Sequence, residues 1–295
     1  MITQEQIQQL TRKFKTNQTV IFREYLQLLF LENLYSVVGS EKVYFKGGTA
    51  IHLLWNSFRF SEDLDFTVDF SKARFIKFIS KVFSKVLINE GLSVKKRKSI
   101  AGIRYLLTYS NGVLPFKVFI TLDFSFREKP KFTSYIKKGE NHPAGGVDEP
   151  IQINHSPKAS VQSETENHPA NGVGIYTFIK TDFPIIFTNF LYHLTPKEIL
   201  AEKIRAILTR KKGRDFFDLW LLLAKGVKLD WNLINQKMNY YPKLKWSKEK
   251  IHQTIQTYSL SDFEKDLKPF LPLNERARLK KIYAVSKKVL LEELK

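Results

Sequence analysis

Apolar and polar positions alternate along this chain with two periods, and their order predicts a mixed fold. Thr3-Gln4-Glu5-Gln6 reads as a capping box that opens a helix. A Leu- and aromatic-rich helical stretch covers about residues 19–37, and Gly39 breaks it. Val43-Tyr44-Phe45 predicts a short buried strand, and residues 50–55 a helix leading away from it. Residues 66–70 alternate as a strand does. Across 72–89, Phe75, Ile76, Ile79, Val82, Phe83 and Val86 recur at helical spacing. Three strands are expected at 92–96, 103–109 and 116–126, with Asn111-Gly112 turning between the last two. Two returning strands are expected at 176–180 and 185–187. Thr195-Pro196-Lys197-Glu198 then starts a helix, and the remainder reads as helical.

The pattern therefore predicts an α+β fold, a mixed sheet with flanking helices followed by a C-terminal helical domain. Its expected parts are N-terminal helices at 1–40, a core at 41–190 and the helical domain at 191–295. The core is interrupted at 134–173, where periodicity stops. There Asn141-His142-Pro143, Asn154-His155-Ser156-Pro157 and Asn167-His168-Pro169 mark a degenerate repeat every 13 residues. Evenly spaced histidines can bind metal, but the composition reads as a repeat-expanded surface loop between strands.

The densest chemistry lies at Lys46-Gly47-Gly48-Thr49 and at Arg59-Phe60-Ser61-Glu62-Asp63-Leu64-Asp65-Phe66. Two glycines after a strand let backbone approach a phosphate, and the helix that follows offers it free N–H groups. Thr49 adds a hydroxyl to that cradle. Asp63 and Asp65 are two apart, so on a strand they share a face and together can hold a hard cation such as magnesium. Two such ions suit phosphoryl chemistry. An exposed acidic turn has the same spelling, whereas an EF-hand is excluded because its glycine and final Glu are missing. Asp123 lies in Lys117-Val118-Phe119-Ile120-Thr121-Leu122-Asp123-Phe124-Ser125, where alternation puts it on a strand among apolar neighbours. Its charge there requires a partner, either a metal or an Arg. Asp69 shares the parity of Asp63 and Asp65 and reads as the cap of the next helix.

Downstream, Lys203 and Arg210 are seven apart on one helix face, where both can grip a triphosphate. Asp215 and Asp218 share a face of the next helix, and Arg214 is spaced to pair with Asp218. A plain helix–helix ion-pair network would use the same residues.

Composition narrows the partners. Lys plus Arg number 48 against 29 Asp plus Glu, a net charge of +19, which points to a polyanion such as RNA. The patches Lys95-Lys96-Arg97-Lys98, Arg210-Lys211-Lys212 and Lys243-Leu244-Lys245-Trp246 would steer it. There are no cysteines, which excludes disulfides and cysteine-based zinc sites. The N-terminus lacks a signal-peptide pattern, and the apolar run at 219–224 is far too short for a bilayer. A cytoplasmic protein without a membrane partner is expected.

The Gly-Gly-Thr motif followed by Arg-x-Ser-x-Asp-Leu-Asp-Phe resembles the nucleotidyl transferase AbiEii/AbiGii toxin family. The later Glu202-Lys203, Arg210 and Arg214-Asp215-Phe216-Phe217-Asp218-Leu219 are similar to its second block, and the likeness spans about residues 43–223. The resemblance implies a polymerase-beta-like nucleotidyltransferase core and a toxin encoded beside an antitoxin. It implies transfer of a nucleotide from an NTP to an acceptor such as tRNA. On this reading Gly47, Gly48, Thr49, Arg59, Ser61 and Arg210 bind the nucleotide. Asp63, Asp65 and Asp123 hold Mg2+, and Lys203 and Asp215 join them in the catalytic set. Asp218 orients or supports. A catalytically inactive nucleic-acid-binding protein of the same fold, or an enzyme that nucleotidylates proteins, would share these features. The repeat insert departs from the family pattern.

Overall fold

The structure, a computed structural model, describes residues 1–99, 102–110, 112, 114–131, 175–177 and 179–294. The repeat insert and its histidines, and Asn111 of the expected turn, lie outside the described residues. Among the described residues seven strands form one mixed sheet: β1 (Val43–Lys46), β2 (Leu64–Val68), β3 (Leu92–Arg97), β4 (Gly102–Tyr109), β5 (Val118–Ser125), β6 (Ile175–Thr177) and β7 (Leu191–His193). Their order is β3-β4-β5-β2-β1-β7-β6. β2 pairs parallel with β5 and β1 parallel with β7, while the other neighbours run antiparallel.

Before the sheet come α1 (Gln4–Phe14) and α2 (Gln18–Tyr35). The capping box at Thr3 is formed, its hydroxyl accepting from the Gln6 amide. Within the sheet region lie α3 (Gly47–Leu54) and α4 (Lys72–Val86). One sheet face carries Phe66 and Phe124, stacked at 4.9 Å, with Phe30 of α2 and Phe75 of α4 packed on them. Both helices present buried aromatic stripes to that face, which is how they stay there. In α4 the stripe uses Phe78, whereas Ile76 faces solvent. The Tyr35 hydroxyl shares its one proton between the Val43 and Tyr192 carbonyls, each at 2.8 Å, tying the end of α2 to β1 and β7.

The C-terminal helices are α5 (Pro196–Arg210), α6 (Gly213–Ala224), α7 (Trp231–Asn239), α8 (Lys248–Thr257), α9 (Leu260–Leu267), α10 (Leu273–Arg276) and α11 (Leu279–Glu293). Thr195 caps α5 and Pro196 occupies its first turn, as its sequence predicts. Phe216 of α6 stacks on Tyr258 and meets Phe263. One apolar cluster runs from Ile2 to Leu294, so the core is continuous from the sheet into these helices.

Three sequence expectations need correction. The run 185–187 forms no strand; the pairing segment is Leu191–His193, which enters the sheet beside β1. This strand is followed closely in the chain by the helix that starts at Pro196. Asp69 does not cap α4; Ser71 does, and Asp69 pairs with Lys129 at 3.4 Å. Asp218 does not pair with Arg214, which lies over the Phe270 ring instead.

Candidate active site

A single charged row crosses four strands on the sheet face opposite α2 and α4. Arg104 of β4 stands opposite Asp123 of β5, Asp123 opposite Asp65 of β2, and Asp65 opposite Lys46 of β1. Directly paired residues project to the same face, so register alone brings these side chains together. Asp63 sits just before β2, two residues from Asp65. On β5, Ile120, Leu122 and Phe124 are buried on the core side, which leaves Thr121, Asp123 and Ser125 for the cleft.

α3 starts without a break after β1, and no side chain caps it. Its first amides are left without a side-chain acceptor, and Gly47 and Gly48 line the cleft at this positive end of the helix dipole. Gly47 has φ +81°, and a Cβ there would run into Asp65 Oδ2. At Gly48 a Cβ would lie 2.5 Å from Arg59 Nη2 and 2.9 Å from Ser61 Oγ. Gly47→Ala is expected to destabilise the fold by about 1–2 kcal/mol through backbone strain. Displacing Asp65 should cost roughly a hundredfold in nucleotide transfer. Urea unfolding and a labelling assay measure the two separately.

The loop carrying Arg59, Ser61 and Asp63 is pinned from three sides. Gln27, buried on α2, donates to the Ser61 and Glu62 carbonyls at 3.1 and 3.0 Å. The Phe60 amide donates to the Phe270 carbonyl at 2.8 Å. The Thr49 hydroxyl donates to the Asp63 carbonyl. Thr49 is fully buried, so its hydroxyl serves this loop and not the phosphate cradle expected of it.

Between sheet and helices runs a chain of alternating charge. Arg59 forks onto both oxygens of Asp218 at 2.9 and 2.8 Å, with both side chains buried. Lys203 lies between Asp218 at 2.6 Å and Asp215 at 2.9 Å. Arg210 reaches the two oxygens of Asp215 at 2.6 and 2.7 Å from the cleft rim. Burial alone would lift the Asp215 carboxyl, but Lys203 and Arg210 hold it well below the usual carboxylate range. Arg59, expected to touch phosphate, thus spends its charge on Asp218.

A second buried network, whose members no single motif joins, supports Lys46. Its ammonium bonds Glu202 of α5 at 3.1 Å. Lys237 of α7 meets Glu128, Glu198 and Glu202 at 3.0, 3.1 and 3.2 Å. Burial opposes the Lys237 charge, yet the three carboxylates raise its pKa. Tyr241 donates to Glu128 at 2.5 Å, and the Arg127 and Arg205 guanidinium groups lie over its ring.

These elements enclose a cleft of about 700 Å³, within the usual range of small-molecule sites. Gly47, Gly48, Arg59, Ser61, Asp63 and Asp65 line it from the sheet side. Asp123 lies on the same wall, and Lys203, Arg210 and Asp215 form the facing one. Of the expected set only Thr49 is absent from the lining. Arg104 is a lining residue that its sequence neighbourhood did not single out, and Lys46 and Glu202 line the cleft although their motifs assign them no role.

Burial, then the neighbouring Asp63 and Asp123, push the Asp65 carboxyl up to about 6. Crowded hard-oxygen donors of this kind fit magnesium. As they stand, no three such groups among the described residues close into a metal-holding cluster, and Asp123 Oδ2 is bonded by Arg104.

Comparison with known proteins gives the site a family. The chain is similar in fold to JHP933 from Helicobacter pylori, with 17% identity, TM-score 0.50 and 94% of each chain covered. It is similar also to MenT4, a nucleotidyltransferase toxin from Mycobacterium tuberculosis H37Rv, with 16% identity and TM-score 0.51, covering 100% of this chain and 94% of that one. No curated protein matches significantly. The profile of the nucleotidyl transferase AbiEii toxin, type IV toxin–antitoxin system, matches residues 29–154 and 170–285. With that match over most of its length and this cleft at its centre, the chain belongs to the AbiEii nucleotidyltransferase toxin family.

Proposed function

We propose that this chain moves a nucleotide from an NTP to an RNA acceptor, tRNA foremost, with magnesium held by Asp63, Asp65 and Asp123. The reading rests on one observation: register sets Asp65 beside Asp123 directly in front of the uncapped start of α3. The triphosphate lies against the amides of Gly47 and Gly48, with Ser61 beside them. Lys203 offsets charge that builds on the transferred phosphate, and Asp215 and Asp218 hold its ammonium in place. Bound magnesium would supply Lewis-acid activation of the acceptor hydroxyl and charge neutralisation at the leaving pyrophosphate.

An RNA acceptor is favoured by charge. Lys95, Lys96, Arg97 and Lys98 are all exposed along an edge strand and its end, and Lys98 and Arg210 reach the cleft itself. No helix among the described residues is long and apolar enough to cross a membrane. Action in the cytoplasm, held in check by a cognate antitoxin, completes the proposal. A protein acceptor is the second reading, since the cleft does not distinguish one hydroxyl from another.

The test supplies labelled NTPs, magnesium, total tRNA and cell protein to the wild type and to Asp63→Ala. Label in RNA with wild type alone supports the reading. Label in protein alone replaces the acceptor, and equal labelling by Asp63→Ala overturns the assigned chemistry.

A further inference from the structure

Among the described residues three Arg–Asp pairs meet at this cleft; Arg210–Asp215 and Arg59–Asp218 each have an aspartate sealed from water, whereas Arg104–Asp123 does not. Arg59 and Asp218 meet fork to fork on two oxygens, and their side chains are 2% and 0% exposed. Arg104 puts both Nε, at 3.0 Å, and Nη2 onto the single Oδ2 of Asp123. Those side chains are 43% and 25% exposed. A pair so open to water is held weakly, and its partners exchange readily. The buried pair is fixed by the cost of uncovering either charge.

The position of the open pair gives the difference a meaning. Asp123 adjoins Asp65 in register, and Arg104 adjoins Asp123. Lys46, at the other end of the row, is already bonded to Glu202. Arg104 is therefore the cation bonded directly to the carboxylate row from its open side. Any dication held by Asp123 together with Asp63 and Asp65 meets a positive guanidinium on one of the oxygens it needs.

We propose that Arg104 is an exchangeable counter-ion for the metal site: it neutralises Asp123 in the empty cleft, yields that carboxylate to the metal, and then pairs with the incoming triphosphate. The proposal rests on the metal-site reading given above. A freed guanidinium at the cleft wall is a planar fork of donors suited to phosphate oxygens. Arg104 then counts as a substrate-contacting residue, and its two roles leave opposite signatures.

The experiment measures Mn2+ binding by calorimetry without nucleotide, then single-turnover transfer at saturating Mn2+. Wild type, Arg104→Ala, Arg104→Lys and Asp63→Ala are compared, each checked for a cooperative melt. Arg104→Ala is expected to bind Mn2+ about tenfold more tightly than wild type, because its competitor is gone. The same variant should transfer nucleotide roughly a hundredfold more slowly. Arg104→Lys, with its charge kept and its fork lost, should fall between on both scales. Unchanged or weaker Mn2+ binding by Arg104→Ala overturns the exchange while wild-type binding, abolished in Asp63→Ala, upholds the metal site. Faster transfer by Arg104→Ala overturns the phosphate role. Absence of Mn2+ binding in every variant overturns the metal reading and the exchange together.

Discussion

Replacing Asp65 with Asn should raise thermal stability at pH 8 while lowering nucleotide transfer about a thousandfold. Asp65 is crowded by burial and by Asp63 and Asp123, which lift its carboxyl from 3.8 to about 6. In the unfolded chain it loses its proton near the lower value, so folding takes up a proton between the two. Stability held by the protonated form is therefore complete below pH 4 and is lost as pH rises to about 6. Above that the ionised group costs the native state about 1–3 kcal/mol, the upper figure being the full lift converted to free energy. Asn cannot ionise and escapes this cost. Melting curves at pH 5 and pH 8 should show the gap between wild type and variant widening with pH. Magnesium should close it by stabilising the wild type alone. A variant less stable than wild type at pH 8 would contradict this account of the crowding.

The second large effect is purely structural at its origin. Lys237→Met should cost about 3–5 kcal/mol in urea unfolding, because it leaves Glu128, Glu198 and Glu202 facing one another without their shared ammonium. Burial already raises the Glu198 carboxyl, and Lys237 is what restrains it. With the lysine gone, these carboxyls should titrate higher when folded than when unfolded. The loss of stability should then be greater at pH 8 than at pH 5. Glu128→Gln, which keeps Lys237 paired with two carboxylates, should cost much less. Since Glu202 also holds Lys46, transfer by Lys237→Met should suffer beyond what its unfolded fraction explains.

How much of this was legible in the sequence depends on how local each interaction is. Asp63 and Asp65 are two residues apart, and Gly47-Gly48 follows an apolar triplet, so short-range pattern exposes them. Lys203 and Asp215 stand out through helical spacing and family likeness. Alternation shows which face Asp123 takes but not what it meets there. Its Arg104 partner depends on the register of an antiparallel pair, which no local spelling encodes. Lys46, Glu128, Glu202 and Lys237 come together from β1, the segment after β5, α5 and α7. Glu128 and Lys237 look like ordinary surface charge, and the motifs that contain Lys46 and Glu202 do not say that the two meet. The strand at Leu191–His193 escaped notice because three residues carry almost no periodicity, while the nearby 185–187 run is apolar without entering the sheet. The Gly-Gly-Thr motif gives the composition at Thr49 without the direction of its hydroxyl, which the fold turns to the Asp63 carbonyl.

The buried Arg59 fork has a consequence for the cell that makes this protein. Arg59 lies early in the chain, and its charge is matched by Asp218, which emerges from the ribosome only after most of the chain has been made. A product broken off before that point has the aspartates and the glycines but an unmatched guanidinium at the heart of its cleft. It also lacks Asp215 and Asp218, which hold the Lys203 ammonium. Such a fragment should be inert. On this account no fragment that ends before Asp218 should harm the cell that makes it.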